Sequence, residues 1–158
     1  MKKGIVLDSS AIIRSDLDFS AGGYYTTSQV VAEIRESTAK QAIDYGISSS
    51  RIKIVDPGIP SRERVVSAAT DTGDIDVLSD TDVSVLALAL ETGHDLASDD
   101  YAIQNVSEKL GITYLPTFHD GITRSIRWVR RCIGCGRVYK PNVNECSVCG
   151  QQVIRRRK

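Results

Sequence analysis

Cysteine is absent from residues 1–131 of this 158-residue chain, and all four cysteines lie within residues 132–149. The long cysteine-free part also lacks a P-loop and the glycine-rich fingerprint of dinucleotide-binding folds. These absences exclude thiol catalysis, NTP hydrolysis and Rossmann-type cofactor chemistry from that part of the chain.

Long apolar runs are missing as well, since no stretch reaches the roughly 18 apolar residues needed to cross a membrane. The N-terminal run Gly4–Leu7 stops at Asp8, well short of the roughly 7 to 15 residues of a signal-peptide core. With 41% hydrophobic and 25% charged residues, the chain has the composition of a globular protein of one domain with a small appendage. We therefore expect a soluble, cytoplasmic protein without a membrane partner, and its oligomeric state stays open.

Acidic residues almost disappear after residue 123. Residues 124–158 contain 10 lysines and arginines against Glu145 alone, whereas residues 1–123 contain 10 against 19 acidic residues. The formal net charge of zero thus conceals an acidic module followed by a basic one. This asymmetry indicates that the basic part binds a polyanion, most commonly nucleic acid, with a solubilising tail as the alternative.

The cysteines follow the pattern C-x2-C-x10-C-x2-C, formed by Cys132, Cys135, Cys146 and Cys149. This spacing is typical of a ribbon in which two tight turns aim four thiolates at one tetrahedral zinc ion. Four protein ligands close the coordination sphere, so the zinc is expected to be structural. Two disulfides are disfavoured in a chain that is not secreted, and an iron site would use the same four ligands.

The N-terminal part alternates short apolar runs with segments of helical spacing. Predicted strands are residues 4–7, 51–55, 95–98 and 112–115, and predicted helices are residues 29–36, 61–73, 80–93 and 101–111. Residues 74–79 are a candidate for one more extended stretch. Strands separated by helices imply βαβ crossovers, so the predicted fold class is α/β with a mostly parallel sheet flanked by helices.

Carboxylates recur at one edge of this predicted sheet. Asp8 and Asp99 directly follow strands, and Glu33 and Asp82 are expected in the first turns of helices that begin at the same edge. Converging carboxylates repel one another unless a cation neutralises them, and oxygen ligands select Mg²⁺ or Mn²⁺. Helix capping is the alternative for each residue taken singly.

Other titratable residues have simpler interpretations. We expect the cluster Asp71, Asp74 and Asp76 to form a solvated loop. His94 and His119 fall outside the acidic motifs, which leaves a metal-free histidine acid/base mechanism unsupported. The hydroxyls of Ser9 and Thr81 are candidates either for capping or for orienting a phosphate or carboxylate.

Four segments carry a family resemblance: GIVLDSSAII, SQVVAEI, LSDTDVSVLALAL and LASDDYAIQNV. In this order they resemble the motifs of PIN-domain ribonucleases, over roughly residues 1–115. Together with the four-cysteine ribbon, the chain is similar to archaeal members of the Nin-one-binding protein family, PIN-plus-zinc-ribbon endonucleases that mature the 3′ end of small-subunit ribosomal RNA. Eukaryotic members carry insertions and tails that this chain lacks.

The resemblance implies a site as well as a fold. It assigns metal-binding and catalytic roles to Asp8, Glu33, Asp82 and Asp99, with Asp80 and Asp100 as neighbours that a register shift would substitute. One or two Mg²⁺ or Mn²⁺ ions would assist phosphodiester hydrolysis of precursor rRNA within the pre-small ribosomal subunit, leaving a 5′ phosphate and a 3′ hydroxyl. The alternatives are a toxin-like PIN ribonuclease with another RNA substrate and a catalytically silent RNA-binding assembly factor.

The basic part is expected to hold the RNA through guanidinium groups and one stacking ring. Candidate contacts are Arg124, Arg127, Trp128, Arg130, Arg131, Arg137 and Lys140. Packing of the ribbon onto the nuclease module is the alternative for Trp128. The predicted domains are a PIN-like nuclease domain (1–115), a basic linker (116–130), the zinc ribbon (131–152) and a mobile basic tail (153–158).

Overall fold

A computed structural model of the chain describes residues 3–14, 22–35, 37–116 and 126–158. His119 and Arg124, both discussed above, lie outside these ranges. Within them, no helix combines the length and the hydrophobicity that crossing a bilayer requires.

Five short strands form one parallel sheet. They are β1 (Ile5–Leu7), β2 (Tyr24–Thr26), β3 (Ile52–Ile54), β4 (Asp95–Ala97) and β5 (Tyr114–Leu115), in the order β3-β2-β1-β4-β5. Every pairing in this sheet is parallel. The order reverses at β1, which continues to β2 on one side and to β4 on the other, so the carboxyl end of β1 is the switch point where ligands of such sheets bind.

Six helices in the described part of the chain accompany the sheet. They are α1 (Ser9–Arg14), α2 (Ser28–Glu33), α3 (Ser37–Ser48), α4 (Ile59–Thr72), α5 (Asp80–Thr92) and α6 (Tyr101–Leu110). The first turns of α1, α2 and α6 follow β1, β2 and β4 directly, so these helices begin at the carboxyl edge of the sheet. Thr27 caps α2 and hydrogen-bonds Ser84 of α5 over 2.8 Å between their hydroxyl oxygens, which fixes α2 against α5.

Helix α5 is the core of the N-terminal α/β module. Its residues from Val83 to Ala89 are buried without interruption, and it packs against β1, β4, α4 and α6. Such a helix is apolar on all sides because protein surrounds it on all sides. The largest side chains buried with it include Leu7, Leu96 and Ile103. Since its N-terminus projects from this core, the side chains of its first turn have a rigid base.

The C-terminal part forms a second, antiparallel sheet. Its strands are β6 (Trp128–Cys132), β7 (Val138–Tyr139) and β8 (Val153–Arg157), with β6 in the middle. β6 therefore begins inside the predicted linker. β8 lies in the segment that we predicted to be a mobile tail. The prediction of mobility is wrong for residues 153–157, because these residues pair with β6 at five successive positions.

The α/β class and the parallel sheet are confirmed, and each of the four predicted strands overlaps an observed one. Strand β2 and helix α3 were not predicted. β2 has only three residues, whereas α3 does present an apolar face, formed by Ala39, Ile43 and Ile47 at helical spacing, which was overlooked. Residues 74–79 are not a strand but lead through a turn to the cap of α5.

Candidate functional site

Asp8 lies at the end of β1, the middle strand of the sheet. It is 4% exposed and accepts hydrogen bonds from Ser10 Oγ (2.9 Å), the Ala11 amide (2.7 Å) and Ser98 Oγ (2.5 Å). It therefore caps α1 and ties the end of β1 to the end of β4. Burial raises the pKa of Asp8, these hydrogen bonds oppose the shift, and the charge of Asp82 adds to it.

Asp82 lies in the first turn of α5, where it completes a capping box with Ser79. The Ser79 amide donates to Asp82 Oδ2 (2.8 Å), and the Asp82 amide donates to Ser79 Oγ (3.1 Å). Burial raises the pKa of Asp82, hydrogen bonds to its carboxylate from the backbone and the side chain of Ser79 oppose this shift, and the charges of Asp100 and Glu33 raise the pKa further. Asp82 is thus a helix cap and, at the same time, a member of a group of interacting carboxylates.

Glu33 is the last residue of α2 and not a first-turn residue as predicted, because α2 spans only Ser28–Glu33. Its carboxylate is exposed and accepts hydrogen bonds from Ser9 Oγ (3.2 Å) and Thr81 Oγ1 (2.5 Å). Ser9 follows Asp8 in the sequence and Thr81 precedes Asp82. Of the two roles left open for these hydroxyls, orienting a carboxylate is therefore the one that the contacts show.

The pair Asp99 and Asp100 follows β4. Asp99 is buried, at 7% exposure. Asp100 is the N-cap of α6, where its Oδ1 accepts hydrogen bonds from the amides of Ala102 (2.7 Å) and Ile103 (3.1 Å). The charge of Asp100 also raises the pKa of Asp82. The assignment of Asp99 as the fourth ligand stays a prediction, and Asp100 competes with it.

Ser98 is a site residue that the sequence analysis missed. Its hydroxyl donates to Asp8 Oδ2 and accepts a hydrogen bond from the Asp100 amide (3.1 Å), so it joins the two acidic positions across the sheet. The available signal was its place between an apolar strand and a pair of carboxylates. Small hydroxyl side chains there commonly hydrogen-bond neighbouring backbone or carboxylate groups.

Asp8, Glu33, Asp82 and the pair Asp99 and Asp100 offer carboxylate oxygens, which are the ligands that a hard divalent cation prefers. Such a cation would also relieve the repulsion between these carboxylates. The carboxylate oxygens are more widely spaced than the ribbon sulfurs. In the described ranges, the four cysteines are the one set of at least three His, Cys, Asp or Glu side chains with ligand atoms all within 4.8 Å.

The four cysteine sulfurs form the second candidate centre. The distance between sulfurs is 3.4 Å for Cys132 and Cys149 and 3.5 Å for Cys135 and Cys146. Disulfide sulfurs are about 2.05 Å apart, so these cysteines are free thiols and the disulfide alternative fails. The cluster has the shape and the ligands to hold one metal ion.

Backbone amides and one phenol support the sulfurs. Cys132 Sγ accepts hydrogen bonds from the amides of Gly134 (3.3 Å) and Cys135 (3.5 Å), and the second turn repeats this pattern around Cys146. The Tyr139 hydroxyl lies 2.8 Å from Cys146 Sγ and is the main cause that lowers the pKa of Cys146 to about 5. These donors favour the thiolate, which is the form that binds metal.

Comparison with known proteins shows the family of the chain. The family described as "PIN domain of ribonuclease" matches residues 5–92. The chain is 40% identical over 155 residues to "Endoribonuclease Nob1" of Pyrococcus abyssi, covering 97% of this chain and 93% of that protein. The chain belongs to the Nob1 family of PIN-domain endoribonucleases.

Two further relatives show the range of this similarity. "Ribonuclease VapC1" of Thermoplasma acidophilum is 36% identical over 150 residues, which cover 95% of this chain and 76% of that protein. "20S-pre-rRNA D-site endonuclease NOB1" of Saccharomyces cerevisiae is 30% identical over 105 residues, which cover 65% of this chain but only 23% of the yeast protein. The resemblance to PIN-plus-ribbon endonucleases is therefore confirmed, and the archaeal Nob1 relative matches over nearly its whole length.

In this Nob1-family chain the predicted RNA-binding residues divide into two groups. Arg127, Arg131, Arg137 and Lys140 are exposed, although the Arg131 guanidinium also donates to the Gly136 carbonyl (3.2 Å). Arg130 is different, because its Nε donates to Asp76 Oδ2 (2.9 Å) and its side chain is 21% exposed. An arginine held in this way is poorly placed to bind a phosphate.

Asp74 and Asp76 do not form the solvated loop that we predicted. Their side chains are 1% and 3% exposed and bind ribbon arginines, Asp74 with Arg155 and Asp76 with Arg130. Asp74 also accepts hydrogen bonds from Thr72 Oγ1 (2.7 Å) and Asn105 Nδ2 (2.6 Å). We call these two ion pairs the docking pairs, since they join the Nob1-family nuclease module to its ribbon.

Trp128 belongs to the same interface, as the packing alternative proposed. The Arg155 guanidinium lies 4.3 Å from the centroid of its ring. Its backbone approaches Gly73, which ends α4 at φ 78°, so closely that a Cβ at position 73 would overlap the Trp128 carbonyl. Glycine is thus required there twice, for the left-handed turn and for the contact with the ribbon.

Proposed function

We propose that this protein is a metal-dependent endoribonuclease that cleaves precursor rRNA at the 3′ end of 16S rRNA, on the pre-small ribosomal subunit in the cytoplasm. The observation that carries this proposal is the convergence of four acidic positions at the carboxyl end of β1. Ser98 hydrogen-bonds both Asp8 and the Asp100 amide, and Ser9 and Thr81, the sequence neighbours of Asp8 and Asp82, both hydrogen-bond Glu33. Like charges held together in this way oppose folding, and they mark a site kept for function. The names of the Nob1 relatives supply the substrate class.

Asp8, Glu33, Asp82 and one of the pair Asp99 and Asp100 would hold one or two Mg²⁺ or Mn²⁺ ions. Bound there, the metal would supply the Lewis acidity that activates water and stabilises charge on the phosphate, giving a 5′ phosphate and a 3′ hydroxyl. The hydroxyl-bearing residues orient the carboxylates before any RNA arrives: Ser10 and Ser98 hold Asp8, Ser79 holds Asp82, and Ser9 and Thr81 hold Glu33.

The ribbon would hold one structural zinc ion. Four thiolates fill a tetrahedral coordination sphere and leave no position for substrate or water. We propose zinc over iron because no redox partner or cofactor motif accompanies the cysteines. A segment with only Cys132, Cys146 and Val153 fully buried has too small an apolar core to fold without its metal.

The decisive experiment incubates the full-length protein with a precursor fragment spanning the 3′ end of 16S rRNA, in Mn²⁺ or in EDTA, and maps the new ends. We expect one Mn²⁺-dependent cut that leaves a 5′ phosphate. Asp8→Asn should abolish it, whereas Asp44→Asn, a control at an exposed carboxylate paired with Lys40 on α3, should cut normally. Normal cutting by Asp8→Asn at saturating Mn²⁺ would refute the assignment of the carboxylates.

A toxin-like ribonuclease is the second candidate, favoured by the relative named "Ribonuclease VapC1", which aligns with 95% of this chain and hence also with the ribbon region. The two candidates share the chemistry and differ in the RNA. The same assay with tRNA and unrelated mRNA fragments separates them. Comparable cutting of those RNAs, without preference for the rRNA 3′ end, would favour the toxin-like activity.

A further inference from the structure

A cavity of about 290 Å³ lies between the start of α6 and one end of the ribbon sheet, outside the carboxylate site. It is close to the lower end of the roughly 300–1,000 Å³ range of ligand pockets. Two aromatic rings, two guanidinium groups and the carboxylate of Asp74, which pairs with Arg155, line it beside small and polar side chains of α6. The lining includes Tyr101, Ala102, Asn105, Trp128, Arg155 and Arg157. We call it the α6–ribbon cleft.

Strand register explains why the cleft is basic. Trp128 pairs with Arg157 and Arg130 with Arg155, so these four side chains share the face of the ribbon that meets the nuclease module. Arg130 and Arg155 reach the buried carboxylates of the docking pairs. Arg157 lies two residues beyond Arg155 on β8, and no ion pair found among the described residues includes it. The cleft thus has an uncompensated positive charge.

The aromatic rings suit a flat ligand. Tyr101 is 54% exposed on the wall formed by α6. On the other wall, the guanidinium carbons of Arg155 and Arg157 lie 4.3 Å and 5.8 Å from the centroid of the Trp128 ring. Unpaired nucleobases stack on aromatic rings and on arginine planes, while a guanidinium group binds the adjoining phosphate. The cleft combines all three elements.

The cleft also adjoins the candidate active site. Tyr101 directly follows Asp100, the N-cap of α6, whose charge acts on Asp82. The first turn of α6 therefore has the acidic group at its start and the cleft on its side. An RNA strand whose scissile phosphate lies at the carboxylates would pass the cleft with a neighbouring nucleotide.

We propose that the α6–ribbon cleft binds one unpaired nucleotide beside the scissile phosphate, with its base between Tyr101 and Trp128 and its phosphate on Arg157. This inference rests on the proposed endoribonuclease function and makes both modules contribute to one RNA site. The proposal assigns a functional role to the docking of the ribbon, because only a docked ribbon places Trp128 opposite Tyr101.

Trp128 is the single tryptophan of the chain, so its fluorescence reports on the cleft directly. The full-length protein is titrated with a short single-stranded RNA without added Mg²⁺ or Mn²⁺, and with an abasic strand of equal length. We expect saturable quenching by the RNA and little by the abasic strand. Equal quenching by both strands would overturn the proposal, since it would show that no base stacks there.

Variants test the opposite wall. Tyr101→Ala should weaken RNA binding about 5- to 150-fold, the usual range for losing one stacked base, and Tyr101→Phe should keep the affinity. The control Tyr45→Ala removes a tyrosine that is 63% exposed on α3, and we expect it to bind RNA normally. Unchanged affinity in a Tyr101→Ala protein that melts like the wild type would refute the cleft.

A charge variant provides a second, independent test. Arg157→Gln should weaken binding and reduce its salt dependence, whereas Arg156→Gln, on the opposite face of β8, should leave base-dependent quenching intact. Equal effects of the two variants on quenching would contradict the proposal. Failure of the proposed function would look different: quenching would persist in a protein that does not cut RNA in Mn²⁺.

Discussion

The docking pairs make the most direct prediction about how the two modules cooperate. Arg155→Met removes the guanidinium from Asp74 and leaves that carboxylate at 1% exposure beside the equally buried Asp76. Methionine keeps most of the length and apolar volume of the side chain. The change therefore isolates the charge and its hydrogen bonds to Asp74 and to the Gly73 carbonyl.

Breaking one buried ion pair by removing a single partner costs about 3–5 kcal/mol. Arg155 is 25% exposed and Asp74 keeps its bonds from Thr72 and Asn105, so we expect the lower end, about 3 kcal/mol. For a chain of this size that loss corresponds to a drop in Tm of roughly 6–12 °C.

Calorimetric melts of the full-length protein measure this loss, with Arg156→Met as the matched control. Arg156 is the next residue of β8, is exposed and faces away from the nuclease module, so its replacement should change stability by no more than about 0.5 kcal/mol. The double variant Asp74→Asn/Arg155→Met should be more stable than the sum of the single changes predicts, because no unpaired charge remains buried. Equal Tm values for Arg155→Met and Arg156→Met would refute the docking pairs as a link between modules.

Three further predictions concern the metal sites. Asp82→Asn should abolish cleavage yet leave the Tm of the metal-free protein unchanged or higher, because it removes one charge from a group of carboxylates that repel one another. Added Mn²⁺ should raise the Tm of the wild type only. Burial raises the pKa values of Asp8 and Asp82, so the folded protein binds these two protons more tightly than the unfolded chain does. The contribution of these two groups to metal-free stability should therefore be fully present below the usual pKa of 3.8 and be lost as pH rises through the raised values. Melts at several pH values should show that Asp8→Asn reduces this pH dependence. Dialysis against EDTA should stop cleavage until Mn²⁺ is restored, whereas elemental analysis of the dialysed protein should still find about one zinc ion per chain. A folded ribbon without zinc would contradict the assignment of zinc to the four cysteines.

Features encoded by neighbouring residues were predictable from the sequence. Each cysteine pair brings its own turn, and Asp8 directly follows an apolar run, so the metal centre of the ribbon and the sheet edge with its carboxylate needed no knowledge of the tertiary structure. The position of Glu33 was harder to predict. Its place at the end of α2 depends on where that helix stops, and its orientation depends on Thr81, a residue of another helix.

Interactions between distant segments could not be predicted in the same way. Asp8 owes part of its environment to Ser98, which lies 90 residues later in the chain. The docking pairs join residues 54 and 81 positions apart, and neither is visible until the ribbon is placed on α4 and α6. Charge patterning correctly separated an acidic module from a basic one, but it could not show that the two charges meet inside the molecule.

Because acidic and basic residues pair between the two modules, part of the positive charge of the ribbon is used inside the molecule. Arg130 and Arg155 neutralise buried carboxylates of the nuclease module, so they contribute to the fold and not to the salt dependence of RNA binding. The cations left to face RNA include Arg131 on the outer face of the ribbon sheet and Arg157 at the cleft. A chain ended before the ribbon would leave Asp74 and Asp76 without their arginine partners, Arg155 and Arg130. We therefore expect truncation to destabilise the nuclease module, so loss of cleavage after truncation would not by itself show that the ribbon binds RNA.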